Sequence, residues 1–421
     1  MTGQKSKVLI IGGQFTGTFC ARELKKHFHV TVVDAKEYFE YTPGVLRAFV
    51  KPCHLDALTF TLQPVLERKM GVKFLWGEVT KLDGDAKTAT VKTMFAGQDT
   101  IAYDYCIICS GCNFGPFEKK GESLWFPVVH EEARKVSAWG HIDERFIEGR
   151  RRHVLEEYHK IADLNKKGAM VLVVGAGFIG VEWVTELQHF FPKLKLTIID
   201  ALPNCLGPLP KKAQDYCTEY MDEVKIKYVY GTMYKAEDPA FWEKVQLPGK
   251  DAVSTYVCIG VKSSNYFLSH APEVLSDKGP LGMGGWIHMN RKLQVVSKDY
   301  KTVWAGGCVF AVGDCNYGCI PVDDSNPTGV DPGSIAPDKM LMPPVPKISY
   351  PGEEQALHAC KNVEKLAKAH GKPCKLMNTW WPWGGGMFAT SLGPHDACFV
   401  LGANHNKGSG HMVNWWIPAA L

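Results

Sequence analysis

No hydrophobic run in this chain reaches the roughly 20 residues that a membrane-spanning helix needs. Neither sign of charge dominates. There are 48 Lys and Arg against 44 Asp and Glu, and the net charge of +4 is too small to mark a nucleic-acid surface. A disulfide framework is also missing. The 14 cysteines scatter through segments that read as strands and helices, as buried thiols in a reducing compartment do. The 15 histidines fall into no metal-ligand spacing, so no metal site is assigned. No signal peptide or other targeting segment precedes the first strand, expected near Lys7. What remains is an ordinary globular composition, 45% hydrophobic and 22% charged, in 421 residues, which favours two or three domains.

The clearest motif is Val171-Leu-Val-Val-Gly175-Ala-Gly177-Phe-Ile-Gly180. An apolar run from about Ala169 to Val174 reads as a parallel strand buried on both faces. Gly175 permits the tight turn, Gly177 lets a pyrophosphate approach the backbone, and Gly180 lets helix and strand pack closely. The helix is expected from Phe178 to about Phe191, its N-terminal amides favouring phosphate. Asp200 ends the next strand, Lys195-Leu-Thr-Ile-Ile-Asp200, where a carboxylate can accept from adenosine ribose hydroxyls. An acid there repels a 2′-phosphate, so NADH is favoured over NADPH. The alternative is a tight βαβ turn that binds nothing.

A second motif lies at the start of the chain: Lys7-Val-Leu-Ile-Ile-Gly12-Gly13-Gln14-Phe-Thr-Gly17. A strand (Val8 to Ile11), a helix (about Thr16 to His27) and a strand ending in Asp34 give it the same context. Gln14, however, stands at the middle glycine, where glycine is used because it has no Cβ. Either the loop shifts or the dinucleotide is lost.

Further segments carry a resemblance. Tyr103-Asp-Tyr-Cys-Ile-Ile-Cys109-Ser-Gly111 resembles the strand ending in Ala-Thr-Gly of the two-dinucleotide-binding flavoproteins. Val309-Phe-Ala-Val-Gly313-Asp314 resembles their late Gly-Asp strand, and Val257-Cys-Ile-Gly260 the strand that closes their NADH domain. Tyr41-Thr-Pro-Gly-Val-Leu-Arg47-Ala, Pro346-Lys347-Ile-Ser-Tyr and Met387-Phe-Ala-Thr-Ser-Leu-Gly393-Pro-His-Asp396 resemble the ferroptosis-suppressor and apoptosis-inducing-factor-like oxidoreductases, relatives of the type II NADH dehydrogenases. The resemblance covers nearly the whole chain.

It implies an α/β architecture of two Rossmann-like domains. An FAD domain (1–125 and 265–350) is split by an NADH domain (126–264), and a small C-terminal module (351–421) follows. It implies electron transfer from NADH through FAD to a quinone. Gly12, Gly13, Gln14, Gly17, Asp34, Arg47, Val79, Gly111, Gly313, Asp314 and Lys347 would line the FAD site. Asp314 would contact its ribityl and phosphate part. Gly175, Gly177, Gly180, Glu182 and Asp200 would line the NADH site. Glu182 matches the family's acid near the nicotinamide, but it is equally a first-turn acid that suits the helix dipole. Flavin chemistry needs no nucleophile or dedicated acid–base pair, so no catalytic side chain is assigned.

Several segments depart from that pattern. A charge-rich stretch runs from Trp139 to Lys167, and a Pro-rich loop from Asn316 to Val345 could cover the flavin or dock a partner. Cys109-Ser-Gly-Cys112 resembles a CxxC but reads as packing at a strand end, as do Cys315 and Cys319. Trp380, Trp381, Trp383, Trp415 and Trp416 suit either a membrane interface or packing on the flavin domain or a protein partner. Position 2 is Thr, so no myristoyl anchor is expected. The leading reading is a peripheral membrane NADH:quinone oxidoreductase, mitochondrial or cytoplasmic. A second is a flavoprotein-derived structural or assembly subunit of a larger membrane complex, with a degenerate FAD site, motivated by Gln14, Ser110 and the long loop. A third is a soluble NADH-dependent reductase of another small acceptor.

Overall fold

The computed structural model describes residues 5–113, 125–137, 139–207, 209–277, 284–318, 349–378, 386–404 and 409–414. Lys347, nearly all of the Pro-rich loop and the five C-terminal tryptophans lie outside these residues.

Lys7–Ile11 is almost wholly apolar and is buried beyond its first residue, so it takes a central place. It pairs in parallel with His29–Asp34 on one side and Tyr105–Ile108 on the other, bringing Ile10 between Val32 and Ile107. The full sheet runs Val309–Ala311, Tyr105–Ile108, Lys7–Ile11, His29–Asp34, Lys73–Asp83, Thr88–Thr93, Gln98–Ala102. Lys73–Asp83 belongs to two arrangements. Its first four residues pair in parallel with His29–Asp34, and from Gly77 onward it pairs antiparallel with Thr88–Thr93. One face of the sheet packs under the helices Phe15–Leu24 and Ser349–Ala369, through Cys20, Leu24, Ala356, Cys360 and Val363. The other face buries Leu9, Val33, Ile108, Phe267 and Val295.

A second, wholly parallel sheet runs Lys227–Val229, Lys195–Ile199, Met170–Val174, Val253–Val257. It lies in sequence between two neighbouring strands of the first sheet, Tyr105–Ile108 and Val309–Ala311. The chain leaves and returns through a short antiparallel pair, Cys112–Asn113 with Lys262–Ser263. The architecture is therefore α/β, with two Rossmann-like units and one inserted in the other.

The chain closes with the helix Ser349–Ala369 and a three-stranded antiparallel sheet, Gly386–Leu392, Asp396–Asn404 and Ser409–Asn414. Pro351 sits in the first turn of that helix, where proline removes no helical hydrogen bond. The sheet buries Phe388, Leu392, Cys398 and Val400 against Val181, Val184 and Leu187 of the helix Phe178–Phe190. Among the described residues no helix is long and apolar enough to cross a membrane.

Candidate functional site: two dinucleotide loops and the cavity between them

The first loop keeps its backbone despite Gln14. Gly12 has φ +100°, and a Cβ there would fall on the Cys109 carbonyl. A Cβ at Gly17 would fall on the Gly12 carbonyl, so helix and strand meet there with no room for a side chain. The Gly13 N–H donates to Asp34 Oδ2 at 2.6 Å. Gln14 is extended, with φ/ψ of −84°/−155°. Its side chain turns aside from the helix: Nε2 donates to Asp34 Oδ2 (3.0 Å) and to the Tyr38 carbonyl (3.1 Å), and Oε1 accepts the Glu40 N–H (3.1 Å). The loop has not shifted; the side chain has found partners within the protein.

The second loop repeats this geometry with glycine in the middle. Gly175 has φ +101°, and a Cβ at Gly180 would fall on the Gly175 carbonyl. At Gly177 a Cβ would meet nothing within 4 Å, leaving an open cradle at the start of Phe178–Phe190. Asp200 accepts the Ala176 N–H on Oδ2 (2.6 Å) and the Leu202 N–H on Oδ1 (2.8 Å). Leu202 and Met233, on the two segments bonded to Asp200, are 52% and 68% exposed, an apolar surface beside the acid.

A cavity of 560 Å³ connects the first loop to the second helix. Gly12, Gln14, Asp34, Val79, Gly111 and Asp314 line it on the first-sheet side, and Phe178, Ile179 and Glu182 on the other. Met387, Phe388, Ala389 and Phe399 of the C-terminal sheet complete the wall, with the Phe178 and Phe388 rings stacked at 5.5 Å. Gly13, Gly17 and Gly313 are not among its lining residues. Gly313 (φ +75°) makes the turn that presents Asp314, its N–H held by Gln355 Oε1 at 2.8 Å. Ser110, which stands where the family has threonine, donates to Asn265 Oδ1 at 2.7 Å, and Asn265 Nδ2 donates to the Cys315 carbonyl at 2.8 Å. Gly175, Gly177, Gly180 and Asp200 lie outside this cavity, at the carboxyl edge of the second sheet.

Arg47 is not among the lining residues of this cavity; it pairs with Glu186 at 2.6 Å and donates to the Gly393 carbonyl at 3.3 Å. Its helix, Val45–Val50, packs on Phe178–Phe190, and Glu186 is buried there with a charge that needs a cation. Glu182 lies one turn earlier on the same helix. Burial pushes its carboxyl up to about 7; the Ser391 N–H, which it accepts at 3.0 Å, and Arg47 oppose the shift, while Glu186 adds to it.

Beneath the first loop lies a buried ionic network that no sequence motif marks. Arg150 is 0% exposed; it grips Glu40 through Nε (2.7 Å) and Nη2 (3.2 Å), and Glu144 through Nη1 (2.9 Å). His153 Nδ1 lies 2.7 Å from Glu144 Oε1, and the Val128 N–H reaches Oε2 at 2.9 Å. Burial would raise the Glu144 carboxyl, but His153 and Arg150 outweigh it and hold it at about 2. Lys36, on the cavity wall, is held below the ordinary lysine range by burial, against the pull of Glu40 and Asp34. The charge-rich stretch thus folds as the helix Ile147–Lys166. Its spacing holds the missed signal: Arg150, Val154, Glu157 and Ile161 fall on one buried stripe.

Comparisons with known proteins agree with this geometry. A type II NADH:quinone oxidoreductase of Staphylococcus epidermidis is 22% identical over 87% of this chain and 84% of its own length. The apoptosis-inducing factor homolog B of Dictyostelium discoideum is 26% identical over 75% of this chain and 76% of its own. The solved structure of a sulfide:quinone oxidoreductase from Aquifex aeolicus aligns with 99% of this chain and 88% of its own at a TM-score of 0.68 and 16% identity, a likeness of fold. The profile of the pyridine nucleotide-disulphide oxidoreductases matches residues 6–333, which carry both glycine loops, the Gly-Asp turn and most of the cavity lining; the chain belongs to that family of oxidoreductases.

Proposed function

We propose that this chain is an FAD-dependent NADH:quinone oxidoreductase. The observation that carries the reading is a continuous cavity joining Gly12, Gly111 and Asp314 to Glu182 and Phe178 on the second loop's helix. A cavity of 560 Å³ is within the usual range for small ligands, about 300–1,000 Å³. The residues fit the two groups. The open cradle at Gly177 and the open space at Gly111 (φ +67°) leave room against the backbone, and Asp200 faces the NADH side. Sequence likeness to type II NADH:quinone oxidoreductases over most of both chains supports the acceptor class. The same likeness favours the enzyme over a flavoprotein-derived assembly subunit.

Gly12, Gly111, Val79 and Asp314 would hold the flavin, and Gly175, Gly177, Gly180 and Asp200 the NADH. A bound flavin would supply the passage of an electron pair from the NADH hydride to the quinone. Glu182 holds a proton beside that path below about pH 7, and quinone reduction takes up two protons with its two electrons. Phe178 and Phe388 stack on one another in the cavity wall and give it an apolar face. The flavin part comprises 1–125 and 265–350 and the NADH part 126–264, with 351–421 completing the chain. We assign peripheral membrane contact to the C-terminal sheet. Met387 and Leu401 face each other across strands and are 37% and 40% exposed, next to the cavity wall.

A visible absorption spectrum tests the reading. Protein expressed with ample flavin is expected to show a flavin band that bleaches on NADH addition. A colourless protein overturns it.

A further inference from the structure

The two loops share one backbone and differ by one side chain. Gln14 and Gly177 hold equivalent positions, with φ/ψ of −84°/−155° and −74°/−169°. Each strand-end acid is fixed by two backbone donors: Gly13 and Lys36 for Asp34 (2.6 and 2.8 Å), Ala176 and Leu202 for Asp200 (2.6 and 2.8 Å). A carboxylate offers about four acceptor positions, so Asp200 keeps two for the neighbouring hydroxyls of a ribose. At Asp34 a third is taken by Gln14 Nε2. That amide is itself anchored to Tyr38 and Glu40, and Glu40 is clamped from behind by buried Arg150. Moving Gln14 aside would break three hydrogen bonds, one of them to a charged, buried acceptor.

We propose that Gln14 is a specificity-determining residue that takes the place of a ribose hydroxyl at Asp34. The first site then holds the adenosine half of its flavin without reading the ribose 2′-hydroxyl, whereas the second site reads that hydroxyl at Asp200. This rests on the flavin reading above. It leaves first-site affinity to the flavin ring, the ribityl chain, the phosphates and the cavity walls.

Flavin-stripped protein is titrated with FAD and with its 2′-deoxyadenosine analogue, made by adenylylating FMN with dATP, and binding is read from flavin fluorescence. The second site is titrated in parallel with NADH and its 2′-deoxyadenosine analogue. Removing the hydroxyl is expected to change first-site affinity by less than about twofold and to weaken the second site by about tenfold, the scale of a hydrogen bond to a charged acceptor. Gln14→Ala, compatible with the observed backbone, is expected to make the first site lose about tenfold with the deoxy analogue. Gln14→Gly serves as the second variant and is expected to do the same. A tenfold loss in the unaltered protein, or variants that discriminate no better than it does, overturns this inference alone. Failure of either flavin to bind a folded chain overturns both this inference and the flavin reading.

Discussion

The two dinucleotide loops share their backbone angles at the first and middle residues and differ in what supports them. The second rests on apolar packing: Val171, Val173, Val181, Val184 and Leu187 belong to one core. The first has an apolar strand and helix too, but the strand beside its middle residue is held by charge, through Glu40, Arg150, Glu144 and His153, all buried. The first and third glycines of each loop fix where the chain goes. The middle residue decides what the acid beyond it can bind. A substitution at the middle position can therefore leave the fold alone and still change the ligand contact.

The largest effect is expected at Arg150. Arg150→Leu strands Glu40 and Glu144 in the interior and should cost roughly 3–5 kcal/mol in urea unfolding. A loss below about 1 kcal/mol would mean the network matters no more than a surface ion pair. Next come the third glycines. Gly17→Ala and Gly180→Ala each place a Cβ on a carbonyl oxygen and should each cost about 1–3 kcal/mol, with closely similar shifts of the unfolding midpoint. Clearly unequal shifts would break the likeness of the two loops. Asp200→Asn and Asp34→Asn disturb equivalent pairs of backbone bonds, and the second also disturbs the bond from Gln14. NADH affinity is expected to fall about tenfold in the first variant and flavin affinity less than about threefold in the second, both by fluorescence titration. The smallest effect is in the shape of a pH profile. Burial raises the Glu182 carboxyl, so its proton is present below about 7 and lost above; quinone reduction should slow as pH rises through that value. Glu182→Gln should flatten this limb, and an unchanged limb would remove Glu182 from the proton path.

Much of the fold was legible because its signals are local. The strand expected from about Ala169 is Met170–Val174, and the helix expected over Phe178 to about Phe191 is Phe178–Phe190. Apolar runs bounded by glycines give those elements without knowledge of the rest. Gln14 was legible as an anomaly but its outcome was not, because its side chain is directed by partners 20 to 26 residues away. The ion pair of Arg47 was hidden for the same reason: its partner Glu186 lies 139 residues on. Arg150 was hidden in a run of three arginines, and only the stripe it shares with Val154 and Ile161 marks it as interior.

The C-terminal sheet has a consequence for how the protein is made. Its Ser391 N–H caps Glu182, its Gly393 N–H bonds to Thr185 Oγ1, and its Phe388 roofs the cavity. A chain emerging from the ribosome carries both glycine loops, with every backbone bond that shapes them, long before these residues are synthesised. It can assemble its two sheets, yet its acid still faces water and its cavity lacks a wall. Completion of the site waits until these residues are translated, so a chain stopped before them would have the scaffold of a redox protein without the last wall of its cavity.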